Sequence, residues 1–412
     1  MRALHRITGF ALVAAVVAGT APHATLAQSA ARQTESDAYT RYELLAPGSA
    51  KFKIIYDVTA STPGATYYFN PIRMGSVATD ESVFDRATGL PLAFDVVGAA
   101  VARAGGVRSS DSLQTYIRVK LARPVPAPDG EGRVRIVKTY EDAKSYLVDG
   151  DAIVFNRALG IKRNAIVLPR GYELVSCNYP SQILQETDGR ISISFWNATP
   201  AEAPLILRAR PAAAMNANGV APSATTSSRL DERAIQNREI VYNLQQPETH
   251  AFDLYHDYTE SRTGVGAYVN VVRAGSTVSK PSAHNLDTGD TLPHELLKGA
   301  AITKIAPEEK GVTPQTEAVV FRFAAVKAGA STRLRMAETY TDSARYRIVS
   351  EQLVWDRSFG RPANAVVLPS GWVLTNSSIP ATVTTQADGR VRLDFINPRP
   401  DEIAVVITAK RR

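Results

Sequence analysis

Four imidazoles stand in the second half of the chain, at His250, His256, His284 and His294. Neutral imidazole binds zinc or copper readily, so these are the first place to look for a metal centre. Their spacing fits no ligand motif. The residues 200 positions earlier are Ala50, Tyr56, Phe84 and Phe94. His256 also shares an apolar face with Phe252 and Leu254. Half-buried, ring-sized positions tolerate exchange of Tyr or Phe for His, so the four read as packing residues, with a metal site as the lesser reading. No cofactor is expected.

A second candidate is basic. Tyr116–Leu121 and Arg133–Tyr140 alternate apolar and charged residues with period two, the pattern of a half-buried strand. If the two strands pair, Arg118, Lys120, Arg133 and Arg135 share one exposed face. Like charges across strands cost stability, and an anionic ligand such as an acidic glycan or a lipid headgroup would offset that cost. The alternative is a solvated edge that resists strand addition. The second half keeps Arg333 and Arg335 but carries Ala318 and Val320 where Arg118 and Lys120 stand. Aromatic residues form a third candidate: Tyr67, Tyr68 and Phe69 run together, and Trp196, Trp355 and Trp372 are scattered. Such rings either stack on sugars or fill a core.

Motifs of common catalysts are missing. There is no H-E-x-x-H, no G-x-S-x-G, no phosphate loop and no Cys–His pairing. Carboxylate pairs for glycoside cleavage stay open, because such partners are distant in sequence. Cys177 stands alone in the chain, opposite Ser377, and reads as a small buried residue.

The elements that would position these groups come in two copies. Arg157–Gly171, RALGIKRNAIVLPRG, returns 200 residues later as Arg357–Gly371, RSFGRPANAVVLPSG. The same shift aligns Tyr42–Ala209 with Tyr242–Ala409. Polar residues held in both copies include Asp57/Asp257, Arg73/Arg273, Arg157/Arg357 and Asn164/Asn364. These read as structural pegs: Arg forks tie down strand ends, and Asn and Asp cap turns. An active site is usually built once, so differences between the copies are the better guide to function.

Net charge is +7, without Lys/Arg blocks of the kind that bind nucleic acid. Residues 1–27 read as a secretory signal: Arg2, His5 and Arg6 precede the apolar run Ile7–Gly19, and Thr25-Leu26-Ala27 offers a cleavage site. That run is too short for a membrane span, and no later one is long enough. The periplasm or the cell exterior is the expected location. No cysteine stands where a lipid anchor would need one. Residues 28–38 are expected to be disordered, 39–210 to form the first repeat, 211–232 a linker and 233–412 the second repeat. Leu230–Arg238 reads as a helical turn or two. About ten short strands per copy with turn chemistry between them indicate an all-β protein of two tandem β-sandwich domains. Asp188-Gly189 and Asp388-Gly389 read as two-residue type I′ hairpin turns. The first would send Ile191, Ile193 and Phe195 inward and Ser192 and Ser194 outward. The second would send Val391, Leu393 and Phe395 inward and Arg392 and Asp394 outward.

The second copy also carries Tyr242-Asn-Leu244, Pro247, Thr249-His250-x-Phe252, Thr288-Gly289, the Arg333–Tyr340 strand and Val366-Val-Leu-Pro369-x-Gly371-Trp372. In this order they resemble the non-catalytic N-terminal β-domain of glycyl aminopeptidase-type metallopeptidases. The resemblance covers one repeat at a time. It implies a β-sandwich of a kind found beside hydrolases in exported proteins. No metal-binding helix follows, so it implies no peptidase activity.

The function expected from these residues is an exported, non-enzymatic binding or structural module. Its partner would be an anionic polymer or another exported protein, held between the repeats or on the basic ribbon. The alternative is a glycan- or peptide-acting hydrolase, or an accessory to one, with carboxylates meeting between the repeats.

Overall fold

The computed structural model describes residues 31–108, 111–212 and 231–412. The expected signal segment lies outside the described residues, as does most of the expected linker. The chain is nearly all β, and its sheets divide into two halves of the same design. The first half has a seven-stranded sheet, ordered Gln182–Gln185, Ile191–Trp196, Arg163–Val167, Glu35–Leu44, Lys51–Ala60, Gly132–Glu141, Val77–Asp85. One neighbouring pair, Glu35–Leu44 with Arg163–Val167, is parallel. A four-stranded sheet of Tyr172–Cys177, Ala203–Pro211, Ala152–Leu159 and Tyr146–Asp149 packs against its inner face. A three-stranded sheet of Tyr67–Pro71, Thr115–Lys120 and Phe94–Gly98 leads into the short helix Ala99–Ala104. The second half repeats these sheets, with Thr291–Leu292 added at the edge of the large one.

Period-two alternation builds the interior. In Lys51–Ala60, Phe52, Ile54, Tyr56, Val58 and Ala60 point inward and are buried. Phe52 meets Phe155 of the facing sheet edge-on at 5.5 Å. Burying a side chain of this size contributes about 1.5–3 kcal/mol. The main core of the first copy draws on residues 42–209, with a small separate cluster of Phe69, Ala99, Ala102 and Tyr116, and the cores of the second draw on residues 242–409. Each copy therefore folds around its own interior.

Asp57/Asp257, Arg157/Arg357 and Asn164/Asn364 make equivalent contacts in the two copies, and Arg73/Arg273 do not. Asp57 takes a two-pronged bond from Arg135 at 2.7 and 2.8 Å, and Asp257 takes the same from Arg335. Asp142 caps Lys144 and Ser145 and meets Arg157 at 3.1 Å, and Asp342 meets Arg357 at 3.3 Å. Asn164 and Asn364 donate to the carbonyls of Ile161 and Arg361. Arg273 bonds Ser358, while the Arg73 N–H donates to the Tyr140 hydroxyl.

Several sequence expectations need correction. Residues 31–38 are ordered: Gln33 bonds the Phe69 backbone, Thr34 bonds Thr62, and a strand starts at Glu35. Residues 233–235 form a turn rather than a helix, and a strand begins at Arg238. The Asp188-Gly189 and Asp388-Gly389 turns are not type I′. Only the glycines have positive φ, +85° and +83°, and Glu186 N–H donates to the Arg190 carbonyl across a three-residue loop. This is the turn-plus-bulge hairpin. Strands at Val77–Asp85 and Tyr146–Asp149 carry no clean alternation and escaped the sequence reading.

The two copies meet along a polar seam. Arg133 reaches across to Asp287 with bonds of 2.6 and 2.7 Å, and its side chain is fully buried. It also bonds Ser331. Arg333, its counterpart, reaches Glu131, the counterpart of Ser331, at 3.4 Å. The Ser331 hydroxyl donates to the Arg86 carbonyl, and the Glu131 N–H donates to the Leu286 carbonyl. The seam thus follows an approximate two-fold, as an isologous contact would. Gly89 sits in it: a Cβ there would lie 2.5 Å from the Gly329 carbonyl oxygen. A buried charge robbed of its partner costs several kcal/mol. Arg133→Ala should therefore lower unfolding stability by about 3–5 kcal/mol in guanidinium titration, whereas Arg133→Ala with Asp287→Leu should recover most of that loss.

Candidate functional site

A cleft of about 630 Å³ opens between the copies. Its floor is the outer face of the large sheet of the second copy, where Glu239, Tyr255, Asp257, Arg335, Asp394 and Arg392 point away from the core. Its walls come from the first copy: Glu131 at the seam, Lys162, and the loop Asn197–Pro200. Thr382 and Thr384 add hydroxyls at the rim, and the Thr382 hydroxyl donates to the Ala198 carbonyl. The size suits a small polar ligand.

The same face in the first copy is closed. Residues 231–236 lie across it: Glu232 accepts from the Tyr39 hydroxyl at 3.0 Å, and the Ala234 carbonyl accepts from Arg163. Ala234 packs on Tyr39 and Ala165. Ser192 and Ser194, expected to face solvent, are 3% and 2% exposed. Arg233 extends from this strap to the carbonyls of Asn397 and Gly360 in the second copy. The strap covers one face and leaves its twin open.

Charge on the open face is mostly paired. Arg335 holds Asp257 and lies 4.6 Å over the Tyr255 ring. Arg392 forks onto Asp394 and reaches Glu239 at 3.3 Å. Burial pushes the Glu239 carboxyl up, against the pull of Arg392. Burial also pushes Glu131 up to about 7, with Arg333 opposing and Asp257 adding to the rise. Glu131 Oε2 accepts no hydrogen bond among the described residues. In all, six cationic side chains and four carboxyls line the cleft. Lys162 is exposed, and Arg163 is held between the rings of Tyr39 and Trp196.

The structure separates the residues of the expected basic ribbon. Thr115–Lys120 pairs with Tyr67–Pro71 and Phe94–Gly98, not with Gly132–Glu141, which lies in the large sheet beside Lys51–Ala60. Arg118 is half-buried and forks onto Asp95. Arg133 is in the seam, and Arg135 is bound to Asp57. The four basic residues therefore share no face. The counterparts of Arg118 and Lys120 are also Val320 and Arg322, not Ala318 and Val320, because the register of this strand is offset by two between the copies.

The histidines fall in separate places. His250 ends a turn and its Nδ1 lies 2.8 Å from the Tyr346 carbonyl, His256 is buried, and His284 and His294 are exposed on different sheets. Among the described residues, no three His, Cys, Asp or Glu side chains gather as metal ligands. Trp355 and Trp372 are core, while Trp196 lines the cleft. Sequence reasoning missed Glu131, Lys162 and Glu239. A signal was present: their counterparts are Ser331, Pro362 and Tyr39, and those of Arg392 and Asp394 are Ser192 and Ser194. These five charges, each absent from the other copy, line this cleft.

The two carboxyls that burial raises to about 7, Glu131 and Glu338, give the fold a pH dependence. Glu338 is buried on a core-facing position, accepts from Asn270 at 2.6 Å and is pushed by burial up to about 7. A carboxyl with its folded value above its unfolded one binds more protons when folded, so stability is full below about pH 4.5 and falls as pH rises towards 7. The fall should amount to roughly 3 kcal/mol for each group. Urea midpoints measured from pH 4.5 to 8 should drop for the wild type and flatten stepwise in Glu131→Gln and in Glu131→Gln with Glu338→Gln.

No known protein-family model matches the chain, and no curated protein matches it. Among solved structures it is similar to an M1 zinc metallopeptidase from Deinococcus radiodurans, at 10% identity and a TM-score of 0.29, over 47% of this chain and 51% of that one. The chain spans about half the length of the M1 structures it matches. It is also similar to a collagen adhesin from S. aureus, at 8% identity and a TM-score of 0.17, over 80% of this chain and 88% of that one. A putative protease from Parabacteroides distasonis matches at 10% identity and a TM-score of 0.23, over 93% of this chain and 94% of that one. The sequence resemblance and these structures name the same class, metallopeptidases.

Proposed function

We propose that the chain is an exported, non-enzymatic binding module that holds a hydrophilic, negatively charged ligand in the cleft between its copies. The observation that carries this reading is asymmetry. Glu131, Lys162, Glu239, Arg392 and Asp394 line one cleft, and each has an uncharged counterpart in the other copy. Packing alone does not require five charged residues to gather there. Cations outnumber carboxyls in the lining, and the threonine hydroxyls, paired ions and the Trp196 ring suit an acidic glycan. Export rests on the basic start, apolar run and small-residue site within residues 1–27. No helix among the described residues is long and apolar enough to cross a membrane.

A second reading follows from Glu131. An acid that burial pushes up to about 7, in a cleft shared with other carboxyl groups, is the kind of group that glycoside cleavage uses as its proton donor. The chain would then be a hydrolase, or an accessory to one, with Glu131 as proton donor.

Calorimetric titration with an acidic oligosaccharide such as tetragalacturonate separates these readings. Lys162→Ala with Arg392→Ala should weaken binding by roughly tenfold or more, the loss of two charge-assisted contacts, without abolishing the folding transition. Equal affinity in this variant, or loss of affinity in Arg118→Ala with Lys120→Ala instead, would remove the cleft as the site. For the hydrolase reading, release of reducing ends that stops in Glu131→Gln is the expected result. No release by the wild type ends that reading and leaves the binding module.

A further inference from the structure

The interior of the second copy is interrupted where that of the first is continuous. In the first copy Ala38, Tyr56, Val58, Tyr68 and Ile161 belong to one apolar cluster. Their counterparts are Arg238, His256, Tyr258, Tyr268 and Arg361, and there the buried core divides into two clusters, with the half-buried Val278 touching both. The backbone pairing is equivalent, with Arg238 opposite Tyr258 and Ala38 opposite Val58. The inward-facing end of this sandwich is therefore lined by cations and phenols.

These groups offer donors and lack acceptors. Arg361 donates to the Tyr268 hydroxyl at 3.2 Å. That hydroxyl lies 3.2 Å from His256 Nδ1 and, with Arg361 donating to it, has its own proton free to donate to that nitrogen. The assignment leaves the His256 Nε2 as an N–H donor. It is unpartnered, and His256 is only 4% exposed. The Nε atoms of Arg238 and Arg361 are buried and unpartnered as well. Arg238 lies 4.6 Å over the Tyr258 ring. Arg233 arrives from the strap and bonds only neutral acceptors, the carbonyls of Asn397 and Gly360 and the side chain of Gln236. Glu260, at the end of the strand that carries His256, is committed to Tyr258, Arg262 and the Ser261 N–H. Among the described residues no carboxylate bonds or ion-pairs with Arg233, Arg238 or Arg361. Burial and the neighbouring guanidinium groups pull Arg233 and Arg238 below their ordinary range, and burial keeps His256 neutral.

We propose that Arg238, Arg361, Arg233 and the His256 Nε2–H form a binding site for a small, doubly charged oxyanion of the phosphate or sulfate class, free or as a monoester. Such an ion supplies acceptor oxygens to unpaired N–H groups and charge to offset guanidinium repulsion. The site stands on its own residues and does not depend on what fills the cleft, although Arg238 also reaches the cleft lining.

The test is calorimetric titration with inorganic phosphate, sulfate and glucose 6-phosphate in chloride buffer at matched ionic strength, with melting scans in parallel. Wild-type protein should bind at least one of them and melt higher in its presence. Binding of phosphate or sulfate assigns a free-ion site, and binding of glucose 6-phosphate alone assigns a monoester site. Arg238→Ala should weaken binding by roughly tenfold or more, as loss of one charge-assisted contact does. The triple variant Arg238→Ala, His256→Tyr, Arg361→Ile installs the residues of the first copy. It should melt higher than wild type in chloride and gain nothing specific from phosphate. Sulfate and phosphate also stabilise proteins generally by exclusion from their surface. An equal gain in wild type and triple variant, or no heat of binding with any of the three anions, would overturn the proposal.

Discussion

The buried pair between Arg133 and Asp287 is the constraint on which the arrangement of the two copies depends. A guanidinium with no exposed side-chain surface has lost its hydration, and only two short bonds to one carboxylate, with Ser331 beside them, compensate it. Such a pair tolerates little displacement, so it fixes where the hairpin corner of one copy meets that of the other. The close approach of Gly89 to Gly329 follows from it. The cleft is what lies between this seam and the strap at residues 231–236. Its walls can hold paired charges at set positions only because the seam does not slide.

The seam departs from two-fold symmetry in its charges. Arg133 and Arg333 both reach across, but their acids are not equivalent: Asp287 stands where the first copy has Ala87, and Glu131 where the second has Ser331. A symmetric pair of chains would need each contact twice. Two copies in one chain need each contact once, and the positions freed in this way carry different residues. Arg133 has a full carboxylate. Arg333 donates to Asn237 and Thr259 and lies, without a hydrogen bond, 3.4 Å from a carboxyl that burial pushes up to about 7.

Much of the fold was legible because alternation is local. Phe52, Ile54 and Tyr56 face inward as their spacing requires, and so do Ile193 and Phe195. What failed was information carried by distant segments. Arg118 and Arg133 follow the same alternation and stand close in sequence, which suggests one ribbon. The loop between their strands instead carries the chain from one sheet to another, and consecutive strands are neighbours only about two-thirds of the time. Ser192 and Ser194 are buried by residues some forty positions on, a fact no local pattern holds. The cleft was partly legible. Arg392 and Asp394 could be placed on an outward face, but nothing in that strand says that Lys162 and Glu131 stand opposite.

The comparison between copies also shows how an interior can admit charge without losing the fold. Cations at one end of the second sandwich remove apolar contact that the first copy keeps. Elsewhere the second copy is larger: Trp355 replaces Phe155, Phe359 replaces Leu159 and Trp372 replaces Tyr172. Tyr242, Trp355, Phe359 and Phe395 form a linked set of rings at separations of 5.2–5.9 Å. Ring pairs of this kind contribute about 0.5–1.5 kcal/mol beyond the area they bury. These rings supply apolar contact that offsets part of what the cations remove. With that contact supplied, Arg238, His256 and Arg361 are free to serve binding rather than packing.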